Sequence, residues 1–271
     1  MPAQPDLPAR GVLVTGASRG IGAATAAAFA ARGDRVAVHF RGARELAEQV
    51  LAALPGEGHA LVQGDLADPG QARAVAEQAV AALGRVDVLV NNAARFLNPK
   101  GEGSRRGDHR VTEVDYEAWV DAWQQTLATN LMGPAHLTWC LARHMIEVPA
   151  AEGLPAGRVV NVGSRGAYRG EPAVPAYGAS KAGLHAFGQS MAVALAPHGI
   201  GVVTLAPGFV ATEMAAAVLE GPEGDAVRAQ SPYGRVATAA EVAGALLRLA
   251  DPAMEWASGA VVDFNGASHL R

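Results

Sequence analysis

The sequence predicts an α/β protein: a single-domain, doubly wound Rossmann fold with a parallel sheet flanked by helices on both faces. Three observations carry that prediction. Short apolar runs rich in Val, Leu and Ile take turns with longer alanine-rich segments of helical period. The apolar runs are near-continuous rather than alternating, as in strands covered on both faces. A glycine-rich turn, Thr15 to Gly22, stands between the first run and the first helix.

The elements follow in order. Gly11 to Val14, GVLV, reads as a buried strand, and the turn leads into the helix IGAATAAAFAARG, which ends at Gly33. RVAVHF, Arg35 to Phe40, is the second strand, followed by a helix over Ala43 to Ala53. HALVQGD, His59 to Asp65, precedes a helix over Pro69 to Leu83, and VDVLVNN, Val86 to Asn92, follows it. Further strands are read at RVVNVGS, IGVVTLAP and GAVVDFNG, separated by helical pattern. Residues 1–9, with Pro2, Pro5 and Pro8, read as a flexible lead, and 10–271 as one domain.

Two stretches break the rhythm. Arg95 to Val111 is polar and punctuated by glycine, and reads as an extended loop where substrate is recognised. Within it RRGDHR, Arg105 to Arg110, suggests docking of an acidic carrier protein or a coenzyme A phosphate; Glu102, Asp108, Glu113 and Asp115 cancel most of its charge, which favours a solvated loop. Phe209 to Tyr233 has apolar positions at helical spacing, Met214, Val218 and Leu219, beside Gly221, Pro222 and Gly224. It reads as a substrate lid, the alternative being a packed surface helix pair.

Composition narrows the function. The chain has 271 residues, 50% hydrophobic and 18% charged, which suits one α/β domain with a large core. A formal net charge of −4 argues against nucleic acid as a partner and for a small molecule. The lone Cys140 admits no disulfide within the chain and fits a reducing cytoplasm. No apolar segment reads as a signal peptide or a membrane span. The eight histidines lack metal-ligand spacing, so no metal is expected. Neither Ser18 nor Ser180 stands in a Gly-x-Ser-x-Gly elbow, which leaves hydrolysis remote.

The chemistry begins at TGASRGIG. Gly16, Gly20 and Gly22, between a strand and a helix, let the backbone approach a pyrophosphate and aim helix N-terminal amides at it. The spacing is Gly-x-x-x-Gly-x-Gly rather than Gly-x-Gly-x-x-Gly. An NAD site would place an acid at the end of the second strand to bind the ribose 2′-hydroxyl, and Phe40 occupies that place. Arg41 follows it, and Arg19 lies inside the turn; two guanidinium groups could converge on a 2′-phosphate, so NADP(H) is the expected cofactor. The alternative is that both arginines are ordinary surface charges.

Tyr177 and Lys181, in YGASKAG, stand four positions apart and share a helical face. A phenol with a reference pKa near 10 needs a neighbouring cation to work near neutral pH, and Lys181 is placed to lower it. Tyr177 would protonate a substrate oxygen as hydride arrives. Ser164, ending the strand RVVNVGS, would hold the developing oxyanion at the crevice beyond the strand ends.

The series TGASRGIG, GDLAD, NNAA, TNLMGP, NVGS, YGASK and APGFVAT resembles the short-chain dehydrogenase/reductases, over essentially all of Gly11 to Leu270. The resemblance implies an oxidoreductase with Tyr177 as acid/base, Ser164 orienting the carbonyl, Lys181 on the nicotinamide ribose and Asn130 supporting a proton-relay water. It also implies that Gly16, Ser18, Arg19, Gly20, Ile21 and Gly22 contact the dinucleotide, with Phe40 and Arg41 at its phosphate end and Asp65 and Leu66 flanking the adenine. Asn92, Ala93 and Ala94 would line the cofactor, and Pro207, Gly208, Val210 and Thr212 the nicotinamide end. Within the family the chain is most similar to 3-oxoacyl-(acyl carrier protein) reductases, which implies a ketone reduced to a secondary alcohol. Sugars, steroids, polyketides and small alcohols remain alternatives, as does an idle NADP(H) sensor. A homotetramer or homodimer is implied as well. NNAA departs from the commoner Asn-Asn-Ala-Gly at Ala94, a change the backbone accepts if φ is negative there.

Overall fold

The computed structural model describes residues 8–96 and 109–271. The N-terminal lead up to residue 7 and most of the long polar stretch, 97–108, lie outside the described residues.

Seven parallel strands form the central sheet: β1 (Gly11–Val14), β2 (Arg35–Phe40), β3 (Ala60–Gln63), β4 (Val88–Asn91), β5 (Gly157–Val162), β6 (Ile200–Pro207) and, numbered after two short ones, β9 (Val261–Phe264). Their order is β3-β2-β1-β4-β5-β6-β9. The chain runs outward one way from β1 and then returns to begin the other half at β4, with Val14 beside Val90. That reversal opens a crevice beyond the carboxyl ends of β1 and β4, where ligands bind in such sheets. Every residue of β1, β4, β5 and β6 is buried, as near-continuous apolar runs require.

The helices are α1 (Gly20–Ala31), α2 (Arg44–Ala53), α3 (Pro69–Leu83), α4 (Tyr116–Leu127), α5 (Gly133–Glu147), α6 (Pro175–Leu195), α7 (Glu213–Leu219), α8 (Gly224–Arg228) and α9 (Ala239–Leu249). The short strands β7 (Val210–Ala211) and β8 (Ala237–Thr238) pair before α9. Local chemistry sets several ends. Asp68 caps α3 by accepting from Gln71 N–H, Pro69 starts it, and Gly84, with φ of 76°, ends it. A capping box of Thr238 and Glu241 starts α9.

The sheet divides the core into two layers. Phe29 of α1 and Val242 and Leu246 of α9 pack with Val12, Val14 and Val203 on one face. Val75 of α3 and Leu137 and Leu141 of α5 pack with Leu13, Leu89 and Val159 on the other. Burying a side chain of this kind contributes about 1.5–3 kcal/mol. A buried ion pair fastens the rim opposite the crevice: Arg10 Nη2 and Nε reach Asp34 at 2.9 and 3.2 Å, and Arg10 Nη1 donates to the Ala250 carbonyl at 2.7 Å.

Candidate active site

The glycine turn lies at the crevice. Gly16 and Gly20 take φ of 63° and 57°, which glycine adopts without steric cost. Gly22 is needed for space: a Cβ there would lie 2.3 Å from the Gly16 carbonyl oxygen and 2.6 Å from Asn92 Nδ2. α1 starts with no side-chain cap and no acid in its first turn, which leaves its amides and positive dipole end for an anion. Ser18, Arg19 and Ile21 complete the turn and the entry to the helix. A dinucleotide pyrophosphate fits this cradle.

Two side chains that the sequence reading assigned otherwise, or not at all, hold the turn. Gly16 N–H donates to His39 Nδ1 at 3.0 Å, and His39 Nε2 lies 3.0 Å from the Gly64 carbonyl. That pairing makes Nε2 the donor and keeps the ring neutral. Asn92 donates from Nδ2 to the carbonyls of Thr15, at 2.8 Å, and Gly16, at 3.2 Å. The backbone N–H groups of Asn92 and Ala93 both donate to Thr15 Oγ1 at 2.9 Å. Asn92, which the resemblance sets along the cofactor, thus braces the turn with its side chain. Ala94 stays out of the left-handed region, so alanine is accommodated in place of glycine.

Beyond the ends of β2 and β3 lies a cavity of about 470 Å³ lined by Phe40, Arg41, Arg44, Gln63 and Asp65 among others. Arg41 lies 3.8 Å from Asp65, and Arg19 3.5 Å from Glu213, both in exposed pairs worth under ~1 kcal/mol. Little opposes exchanging those partners for a phosphate. Arg44 was not foreseen. Its guanidinium lies 5.2 Å over the Phe40 ring and its Nη2 donates to Gln63 Oε1 at 2.9 Å; the signal was its position three residues after Arg41. Leu66 is buried against the start of α5, where a Cβ on Gly133 would come within 2.9 Å of it.

At the other end of the crevice α6 carries Tyr177, Lys181 and His185 on one face, each four residues from the next. Ser164 follows β5, accepts from Gly166 N–H at 3.0 Å, and stands near enough to the Tyr177 hydroxyl to favour its ionised form. Lys181 Nζ donates to the Val162 carbonyl at 2.7 Å and lies 5.8 Å from the Tyr177 ring centroid. Here the structure corrects an expectation. Among protein groups alone, burial pushes the Tyr177 phenol up, outweighing the Ser164 hydroxyl that lowers it, and Glu171 adds to the rise. Burial brings Lys181 down to about 8. Desolvation opposes both charged forms at once.

Asn130 is fully buried in a π-helical turn, Ala128–Met132, that joins α4 to α5. Its Oδ1 accepts from Arg95 N–H at 2.7 Å, and its Nδ2 donates to the Arg95 carbonyl at 3.0 Å and to Ser180 Oγ at 3.2 Å. Ser180 in turn donates to the Tyr177 carbonyl at 2.7 Å. The Asn130 side chain therefore braces the helix turn under Tyr177.

Several neighbours went unread in the sequence. His109, where the long polar stretch returns, donates its N–H to the Ala173 carbonyl at 3.0 Å, and its Nε2 accepts from Ala176 N–H at 3.1 Å. It pins the start of α6 one residue before Tyr177. Glu171 stands near the same point: a Cβ imagined on Gly166 would lie 3.1 Å from Glu171 Oε1 and 3.2 Å from Ser164 Oγ. No local pattern announces either, because each contact spans a loop.

Pro207 ends β6, and Gly208 N–H donates to the Phe264 carbonyl at 3.1 Å. Val210 is buried in its pairing with Ala237, and the Thr212 methyl lies 3.5 Å from where a Gly20 Cβ would stand. Thr212 thus meets the glycine turn across the crevice. After them come α7 and α8, the helix pair of the predicted lid. In the basic run, residues 105–108 lie outside the described residues, while Arg110 Nε lies 3.6 Å from Glu113. Among the described residues, no helix is long and apolar enough to cross a membrane and no cluster of His, Cys, Asp or Glu could hold a metal ion.

A dinucleotide cradle at the switch point of a parallel sheet, facing a serine, a tyrosine and a lysine, defines a class: oxidoreductases that work with a nicotinamide cofactor. The chain belongs to the short chain dehydrogenase family, which matches residues 10–223. It is 38% identical to a probable galactose dehydrogenase from Rhizobium meliloti over 212 residues, 77% of this chain and 75% of the relative. To a 3-oxoacyl-(acyl carrier protein) reductase from Salmonella typhimurium it is 33% identical over 261 residues, 95% of this chain and 96% of the relative. A crystal structure of a short chain dehydrogenase from Burkholderia cenocepacia in complex with NADP matches with a TM-score of 0.82 at 30% identity, covering 96% of this chain and 98% of the other.

Proposed function

We propose that this protein is an NADPH-dependent reductase that converts a ketone to a secondary alcohol, 3-oxoacyl thioesters and similar carbonyl compounds being the leading substrate class. The observation that carries the reading is the grouping of Ser164, Tyr177 and Lys181 at the crevice, with Lys181 Nζ 5.8 Å from the Tyr177 ring. A protein that only sensed the cofactor would need the cradle and the arginines, and would have little use for a buried phenol beside an ammonium.

The cofactor is NADP(H). Gly16, Gly20, Gly22 and the amides of α1 would hold its pyrophosphate, and Arg41, Arg19 and Arg44 its 2′-phosphate. NADPH supplies the hydride when bound. Ser164 Oγ–H holds the substrate oxygen, and Tyr177 donates its phenolic proton to that oxygen as negative charge builds there. The raised phenol pKa keeps Tyr177 protonated, which suits the reductive direction. Lys181, with its pKa near 8, is largely protonated at neutral pH and stabilises the phenolate left behind. Asn130 and His109 keep Tyr177 in place. We take α7 and α8 to cover the bound substrate.

A second reading is supported by Glu171, whose carboxylate beside Ser164 could accept hydroxyl hydrogens of a polyol or sugar; the similarity to a probable galactose dehydrogenase agrees with it. A cytoplasmic homodimer or homotetramer is the proposed working form. The large apolar side chains that α5 and α6 expose, Trp139 and Val193, support the association.

The test is consumption of NADPH, with NADH alongside, over 3-oxoacyl thioesters, diketones, ketosteroids and keto-sugars, with Tyr177→Phe as control. Turnover that prefers NADPH and collapses in the variant supports the reading. A clear NADH preference would overturn the role given to the arginines.

A further inference from the structure

The chain leaves β4 at Asn91 and runs on as NAARF, Asn92 to Phe96, before the polar stretch 97–108. Arg95 is held on both sides of its backbone. Asn130 Oδ1 accepts from its N–H at 2.7 Å, and Asn130 Nδ2 donates to its carbonyl at 3.0 Å. Asn130 is itself fully buried, so the next residue, Phe96, is presented from a fixed point. The Phe96 ring stands nearly perpendicular to that of Tyr177, at 87°, with the centroids 5.0 Å apart. An edge-to-face pair of this kind is attractive, because the positive rim of one ring meets the negative face of the other.

Core packing does not explain this aromatic side chain, since Phe96 belongs to neither of the apolar layers that flank the sheet. It is half-buried, as Tyr177 is, and each ring covers part of the other. The other neighbours of Tyr177 act elsewhere. His109 holds the backbone before it by accepting from Ala176 N–H, and Ser180 Oγ donates to the Tyr177 carbonyl. Lys181 acts through its charge, with Nζ 5.8 Å from the ring centroid. Helix α6 therefore fixes where the Tyr177 side chain starts, while its two torsions are left to packing. Swinging the phenol about either torsion drives it into the Phe96 ring or breaks the contact.

Resting on the role given to Tyr177 as proton donor, we propose that Phe96 is a positioning residue: its ring fixes the plane of the Tyr177 phenol and covers it, so that the hydroxyl stays aimed at the substrate oxygen.

Phe96→Leu removes the ring and keeps apolar bulk, whereas Phe96→Tyr keeps the ring. The assay is reduction of the 3-oxobutanoyl thioester of N-acetylcysteamine by NADPH. Phe96→Leu should lower kcat by about two- to tenfold, the scale of one edge-to-face ring pair, with KM and NADPH affinity within about twofold of native. Phe96→Tyr should recover most of that loss. An unchanged kcat in Phe96→Leu, an equal fall in both variants, or a change confined to KM would overturn the proposal. If Phe96→Leu does not fold, Phe96→Met takes its place. If the native protein does not reduce the thioester, the substrate class assigned to it fails, and the phenol itself decides about Phe96. In protein carrying tyrosine labelled with carbon-13 at Cζ, Tyr177→Phe identifies the Tyr177 resonance. Ser164, Glu171 and Lys181 face this phenol in the native protein and in Phe96→Leu alike. Loss of the covering ring should therefore bring the Tyr177 titration down toward its ordinary value near 10, and a midpoint that stays in place would overturn the proposal.

Discussion

The backbone N–H of Gly16 donates to His39 Nδ1 at 3.0 Å, so the turn proposed to receive the dinucleotide hangs on a histidine that must stay neutral. Burial holds the pKa of His39 at about 4, against an ordinary 6.5. Between those values the unfolded chain takes up a proton that the folded chain refuses, so stability is lost as pH falls from 6.5 toward 4. At 1.36 kcal/mol per unit, His39 removes up to about 3 kcal/mol over that window. His185, whose pKa is also lowered to about 4 by burial, acts in the same direction. Urea unfolding at a series of pH values should show the decline, and His39→Gln should flatten it. An unchanged slope in the variant would assign the acid sensitivity to other groups.

Tyr177→Phe removes the proposed proton donor and should lower kcat by about 10²–10⁴-fold with NADPH affinity retained. Lys181 contributes as a cation below its pKa of about 8, so reduction should slow as pH rises through 8. Lys181→Met should be slow throughout and lose that descending limb. A limb near pH 8 that survives in Lys181→Met would belong to another group.

His109→Ala removes the side-chain acceptor of Ala176 N–H, while the backbone bond to Ala173 stays, and loosens the start of α6 so that Tyr177 can shift. A displacement of about 1 Å can cost about 10²-fold in rate. The change should fall on kcat, and NADPH binding, followed by its fluorescence, should be preserved because the cradle lies elsewhere.

Asp34 accepts from Arg10 through its side chain and its backbone N–H, and from Arg32. Asp34→Ala strands the buried Arg10 cation and should cost about 3–5 kcal/mol in denaturant unfolding. Measured below its new midpoint, the variant should keep native kcat.

Gly22→Ala places a methyl 2.3 Å from the Gly16 carbonyl oxygen and 2.6 Å from Asn92 Nδ2, so the cradle must open. NADPH affinity should fall by at least about tenfold, since the pyrophosphate loses aligned amides worth roughly 1.5–3 kcal/mol each. Arg41→Asp should weaken NADPH by a similar factor and leave NADH much less affected. Isothermal titration with both cofactors reads each outcome.

The fold was legible because its signals are local. Near-continuous apolar runs mark β1, β2, β5 and β6, Gly84 and Asp68 mark the ends of α3, and the glycine turn stands between a strand and a helix. Within the site, the same holds for Tyr177 and Lys181, whose shared face follows from helical period alone. The strand Gly259 to Gly266 shortened to β9, at the sheet edge, where only one neighbour holds it. α4, α5 and α9 received no individual limits in the sequence reading.

The sequence by itself therefore determined the parallel α/β fold, the glycine turn between β1 and α1, and the shared helical face of Tyr177 and Lys181. Tertiary structure decided what lies next to them: His39 under Gly16, His109 at the start of α6, and Arg44 on Phe40. It also decided the direction of the Tyr177 pKa. The reason is that periodicity and turn chemistry act between residues a few positions apart, whereas desolvation and pairing depend on which distant elements close over a group. Tyr177 and Lys181 share a helical face whatever the fold; whether their charges are solvated is set by β5 and the loops that bury them.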